Sequence, residues 1–267
     1  MNAARLPVRE LAGWGLDEDA YRPATYSGDP DSASALVAAR PMFAADNALL
    51  HLDDDALRNR LAAEEARTDL QAEMRGLEWF AGVVDLRCLL AFQRRIVLNP
   101  AASQPAIPEA DDWNSLVDLC FGRPKPVVFD VIRNEDSLLF RSDHPNLHFR
   151  FTGDSSSPIA IHSGSPFFEV AQYRGRWFLR DGYHRAYRCL QAGVFRLPAV
   201  LLRARTMEEL GAVHPWFFPE EVLFSATPPR VIDFLDDALV IRYNRSPLVK
   251  TLRIAVEESY TLQGEAL

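Results

Sequence analysis

The chain has 267 residues, 48% of them hydrophobic and 25% charged, which is long enough to bury a core as one large domain or two small ones. A formal net charge of -8 and a pI near 5.3 exclude whole-surface attraction to nucleic acid or to an anionic membrane, so any anion site has to be focused on a local patch. Three cysteines, Cys88, Cys120 and Cys189, form no CxxC pair and so indicate neither a disulfide framework nor a zinc knuckle; with no apolar leader and no run near 20 apolar residues, they predict a cytoplasmic protein with no membrane partner.

Residues from Met1 to about Ala45 carry scattered Pro, Gly and Asp with weak periodicity, and predict irregular structure. From Asp46 to Leu98, Leu57, Leu61, Leu70, Met74 and Leu77 recur at three- and four-residue steps and DLRCLLAFQRRIVL continues in kind, which predicts two or three helices. NPAASQPAIPEADD, Asn99 to Asp112, holds three prolines and no apolar rhythm. It reads as a linker, and so as a domain boundary, before a short helix at WNSLVDLCF.

After Pro126 the composition turns β-rich: VVFDVI, SLLFRS, LHFRFT, FFEVAQYR and RWFLR. YRGRW predicts a tight turn at Gly175 between antiparallel strands. RWFLR then meets Asp181-Gly182, and YHRAYRCLQAG switches to a helical period with Ala186, Cys189, Leu190 and Gly193 on one side, Gly193 serving as helix stop. FRLPAVLLRA follows as a strand, TMEELGA as a helical turn, and HPWFFPEEVLF as an aromatic loop. The tail ALVIRYNRSPLVKTLRIAVEESY reads either as a hairpin turning at Ser246-Pro247 or as a strand followed by a helix. The whole predicts an α+β protein with a mainly helical N-terminal region over residues 1–112, a mixed core over 113–205 and an extension over 206–267.

Between Arg174 and Arg205 stand eight arginines, no lysine and one acid, Asp181. One explanation is a solvated face whose arginine stems lie over apolar neighbours. Position favours another. At a strand-to-helix turn the first amides of the helix have no intrahelical partner and the dipole adds partial positive charge, so the terminus receives anions. Gly182 lets the backbone approach a bound oxygen, Arg185 offers a planar fork for phosphate, and His184 and Arg188, four apart, share a face beside it. Asp181 is expected to cap the helix or to assist a metal.

RDGYHRAYRCLQAGVFRLPAVLL resembles the ParB/sulfiredoxin-like superfamily, in which a strand ends in a G-x-[HR]-R motif that opens a helix, followed by a Gly-containing turn and a strand with Pro and aliphatic residues. ParB proteins carry GERR and bind the phosphates of CTP; sulfiredoxin carries GCHR and binds those of ATP. Here the motif is Gly182-Tyr183-His184-Arg185. The resemblance covers about 30 residues strongly and the fold over Pro126 to Arg205. It implies that Gly182, Tyr183, His184 and Arg185 lie on phosphate, with Arg188 as helper. Tyr183 stands where sulfiredoxin needs its cysteine, so sulfinic-acid reduction is not implied, and Cys189 falls on the apolar side of the helix, where an inert thiol is expected. The roughly 60 residues after Arg205 show no helix-turn-helix pattern, so sequence-specific DNA binding is not expected.

Glu169 in FFEVAQY is the candidate base or Mg²⁺ holder, with a solvent-facing position as the alternative. His162, in a Ser/Gly-rich loop from Ser155 to Pro166, is the candidate general base. His144 and His148 have helical ligand spacing, but Pro145 and the strand-like LHFRFT argue against a metal there. Trp216, Phe217 and Phe218 either stack a base or anchor the C-terminal extension. The sequence therefore predicts a nucleotide or phosphate-ester binding protein, with hydrolysis or phosphoryl transfer an extension of that and Mg²⁺ with a nucleoside triphosphate the expected cofactor. The alternative is a non-catalytic module that grips an acidic protein or a nucleic-acid backbone, and homo-oligomerisation stays open.

Overall fold

The computed structural model describes residues 5–44, 47–99, 105–123, 126, 128–143, 147–151, 156, 159–255 and 257–260. The chain divides into two compact units, one of Met1–Arg123 with Ser165–Ser246, the other of Pro124–Gly164 with Pro247–Leu267. Helices and sheets are both present, which makes the protein α+β.

The larger unit is built on a six-stranded sheet. Its strands are β2 (Leu49–Leu50), β3 (Glu78–Asp85), β4 (Leu90–Ala91), β10 (Glu169–Tyr173), β11 (Arg176–Asp181) and β12 (Arg196–Arg203), in the order β2-β3-β12-β10-β11-β4. β12 is central, and its six inner residues are buried, which is why LPAVLL is a continuous apolar run instead of an alternating one. β10 and β11 are antiparallel, joined by Arg174 and Gly175, both at positive φ (47° and 77°), as a type I′ turn requires. α5 (Tyr183–Gln191) then carries the chain from β11 to β12, which runs parallel to β10. Its buried side is Tyr183, Ala186, Tyr187, Cys189 and Leu190, and Gly193 at φ 76° ends it, with the Val194 amide returning to the Cys189 carbonyl.

A second sheet of the same unit pairs β13 (Val240–Arg245), β1 (Leu6–Leu11) and β5 (Arg95–Val97) in that order. The helices α2 (Asp55–Glu65), α3 (Thr68–Glu73) and α4 (Trp113–Cys120) cover the larger sheet, α2 lying on β3 and α4 on β12. α1 (Pro30–Ala38), α6 (Met207–Leu210) and α7 (Glu220–Leu223) are peripheral.

The N-terminal region is thus mixed, not mainly helical. The helices at 55–65 and 68–73 lie inside the predicted stretch, but Glu78–Asp85 is a strand, and DLRCLLAFQRRIVL breaks into a 3₁₀ turn at Leu86–Cys88 followed by β4 and β5. Leu89, Leu90, Ala91 and Phe92 are all buried; a short run apolar on every side fits an enclosed strand as well as a helix, and only sheet partners decide it. Irregular structure was expected before Ala45, yet Leu6–Leu11 is a strand between β5 and β13.

The second unit holds a three-stranded sheet, β14-β7-β6, made of β6 (Asp130–Arg133), β7 (Ser137–Ser142) and β14 (Lys250–Ala255), and the antiparallel pair β8 (Leu147–Phe151) and β9 (Ile159–Ser163). The tail follows neither predicted form. β13 and β14 are both strands but belong to different sheets, so Ser246-Pro247 leads from one unit to the other instead of closing a hairpin.

Candidate functional site at the start of helix α5

Gly182 sits at φ 100°, and an added Cβ would lie 2.5 Å from the Phe168 ring. Only glycine meets both conditions, and it lets β11 turn directly into α5. No side chain caps α5, so first-turn amides are without the acceptor that Ser, Thr or Asp supplies in most helices. Asp181 does not cap it from the N-cap position, which is Gly182.

The side chains expected to gather on phosphate part company. Tyr183 points into the core at 3% exposure, where its hydroxyl accepts hydrogen bonds from the amides of Phe92 (3.0 Å) and Gln93 (3.3 Å). Burial raises its pKa above the usual phenol value. The Nε2 of His184 lies 2.7 Å from the Val97 carbonyl, and desolvation holds its pKa below that of a free histidine. Arg188 donates to the Pro105 carbonyl at 2.7 Å. Arg185 turns elsewhere: its NH1 donates to the carbonyls of Leu119 (3.2 Å) and Pro166 (2.8 Å), its NH2 to that of Phe167, and its guanidinium lies over the Phe168 ring. These three side chains therefore hold neighbouring loops through carbonyl oxygens and do not converge on one spot.

The rest of the arginine-rich window is likewise spread over separate partners, carbonyls for one and glutamates for others. Arg176 donates to the Leu223 and Ser225 carbonyls. Arg174, Arg203 and Arg205 pair with Glu220, Glu78 and Glu209. Arg196 lines a hollow of about 250 Å³ with Arg87, Asp111, Gly193 and Phe195, at the opposite end of α5 from Gly182.

Two carboxylates meet at the start of the helix. Glu169 on β10 and Asp181 at the end of β11 are register partners, with a bulge between Glu169 and Val170. β10 is an interior strand, covered on both faces, so Glu169 is fully buried and the solvent-facing alternative does not hold. Its Oε2 pairs with Arg180, whose Nε also donates to the Glu209 carbonyl, while its Oε1 has no hydrogen-bond partner. Asp181 is partly buried. Burial and the Glu169 charge push its pKa up to about 7, against the opposing effects of Arg185, the Gly182 amide and Arg180. Arg180 was not singled out in the sequence, although counting back from the turn at Arg174-Gly175 sets Glu169 across from Arg180; the bulge between Glu169 and Val170, which the letters do not show, moves its register partner on to Asp181.

His162 stands on β9 in the second unit, opposite His148 on β8, and its side chain is outside the described residues, as are His144 and Ser155. The aromatic loop divides: Phe218 is buried under the Arg94 guanidinium, with its amide on the Phe92 carbonyl, and anchors the extension, whereas Trp216 is half-exposed and stacked on His214 at 4.4 Å. Cys189 is fully buried with its pKa raised to about 11, an inert thiol. Among the described residues no group of three or more His, Cys, Asp or Glu gathers as a metal site. Glu169 and Asp181 do not fit a Mg²⁺ cage, because one is enclosed with Arg180 on its oxygen and Arg185 stands near the other. No helix among the described residues is long and apolar enough to cross a membrane.

No family model, curated protein or solved structure matches the chain.

Proposed function

We propose that the protein binds a nucleotide or phosphate ester at the amino end of α5, through main-chain amides of the first turn. The observation that carries this reading is the uncapped helix start behind a left-handed Gly182, where the helix dipole and the free N–H groups favour an anion. The resemblance of DGYHR to phosphate-binding members of the ParB/sulfiredoxin-like superfamily supports it. Arg185 supports it indirectly, by fixing the Leu119–Cys120 and Pro166–Phe167 segments around the turn. Turnover, as hydrolase or phosphotransferase, would draw on charge neutralisation and positioning at the same spot.

The test is an amide NMR titration with pyrophosphate, ATP and CTP. Saturable shifts centred on Tyr183, His184 and Arg185 are the expected result. An absence of shifts there, in a folded protein, overturns the reading and leaves a macromolecular partner as the better explanation. The basic surface such a partner needs is small, since Arg174, Arg180, Arg203 and Arg205 already pair with glutamates.

A further inference from the structure

The carboxyl pair beside this helix start has an unmet need. Glu169 is wholly enclosed, and its Oε1 is buried with no donor. A buried carboxylate oxygen left without a partner is costly. A proton on an adjacent carboxyl removes that cost by making a donor. Asp181 is that neighbour by register, and its partial exposure gives the proton a route to water. The charged and titratable groups facing Asp181 are Glu169 from β10, Arg180 on its own strand, and Arg185 and Tyr183 from α5. Desolvation and the Glu169 charge outweigh the two guanidinium groups, so Asp181 takes up a proton as pH falls through about 7.

We propose that Glu169 and Asp181 share one proton and that this proton gates the anion site at the amino end of α5: a phosphate ester binds when the pair is singly protonated and is repelled when both carboxylates are ionised. With the proton in place the pair's single negative charge is offset by Arg180, and the helix start presents net attraction. Loss of the proton adds a full negative charge beside Gly182, within reach of any anion at the first-turn amides. No bond other than O–H is made or broken, and the proton goes to water. The inference rests on the binding site proposed above and assigns its regulation.

The probe is sulfate, whose charge is constant over the range used, so any pH dependence belongs to the protein. Carbon-13 carboxyl NMR of the free protein comes first. A carboxyl titrating near neutrality in wild type, lost in Asp181→Asn and moved to lower pH in Glu169→Gln, is expected; if every carboxyl titrates below pH 5 the proposal is overturned, whatever binds. Sulfate titration at pH 6 and pH 8.5 follows. One added charge at this range weakens binding roughly tenfold between the two, and Asp181→Asn, a fixed mimic of the protonated acid, holds the tighter affinity at both. Equal affinity for wild type at the two values overturns the gate while leaving the anion site standing. Neutral-pH titration without sulfate binding at either value overturns the site itself and the gate with it.

Discussion

Replacing Arg185 by alanine separates a guanidinium that holds the fold from one that holds a ligand. In the structure its donors reach the carbonyls of Leu119, Pro166 and Phe167, with that of Cys120 at the 3.5 Å limit. Hydrogen bonds from a charged donor contribute about 1.5–3 kcal/mol each, and carbonyls left buried without partners add to the loss. Water entering the vacated space recovers part of it, so a net destabilisation of about 4 kcal/mol is expected, near the top of what single substitutions cause. At this chain length each kcal/mol moves Tm by about 2–3 °C, which makes a shift of about 10 °C. All five tryptophans, Trp14, Trp79, Trp113, Trp177 and Trp216, lie in the larger unit, so urea unfolding followed by tryptophan fluorescence reports on the unit that contains Arg185. Arg185→Lys, which keeps the charge but reaches fewer carbonyls, falls between. A variant Arg185→Ala that unfolds within 1 kcal/mol of wild type refutes the clamp. Loss of pyrophosphate binding in that same variant would return the guanidinium to the ligand.

Gly182→Ala forces a Cβ onto the Phe168 ring at a φ of 100° and is expected to cost about 3 kcal/mol or more in urea unfolding, the strain and the overlap adding. Tyr183→Phe leaves the Phe92 and Gln93 amides without their acceptor; about 1–3 kcal/mol of stability is lost, with faster hydrogen exchange at those two amides. Asp181 sets a pH slope whose sign follows from its raised pKa: from about 4 up to about 7 the folded protein keeps a proton that the unfolded chain has released. Stability therefore falls as pH rises across that window, by up to about 4 kcal/mol, and Asp181→Asn flattens the curve and is the more stable protein at pH 8. Glu10→Gln breaks a fully buried carboxylate away from Arg22, Arg95 and the Tyr243 hydroxyl, costing about 3–5 kcal/mol and loosening β1 from β5 and β13 as read by proteolysis.

Local structure was legible in the letters. The turn at Gly175, the strand RWFLR, the start of a helix after Gly182, its inner side with Cys189 and Leu190 and the stop at Gly193 stand where the letters put them, because each depends on neighbours within a few residues: φ at a glycine, a 3.6 period, an amide returning to a carbonyl five residues back. The short helix at Trp113–Cys120 is of the same kind, opened by the Asp112 carboxylate on the Ser115 amide. The tertiary structure decided what depends on distant partners. LLAF became strand because Phe178 and Leu179 pair with it, and the tail was divided because Val240–Arg245 finds Leu6–Leu11 while Lys250–Ala255 finds Ser137–Ser142. Eight arginines within 32 residues announce positive charge, but whether each meets a ligand, a glutamate or a carbonyl depends on segments 18 to 129 residues away for most of them. A guanidinium reaches up to five acceptors from a long stem, so its role is set by whatever packs around it and not by its place in the chain. Glu169 makes the same point in reverse: alternation allowed it either face, and only enclosure of β10 between β11 and β12 buried a carboxylate beside the start of the helix.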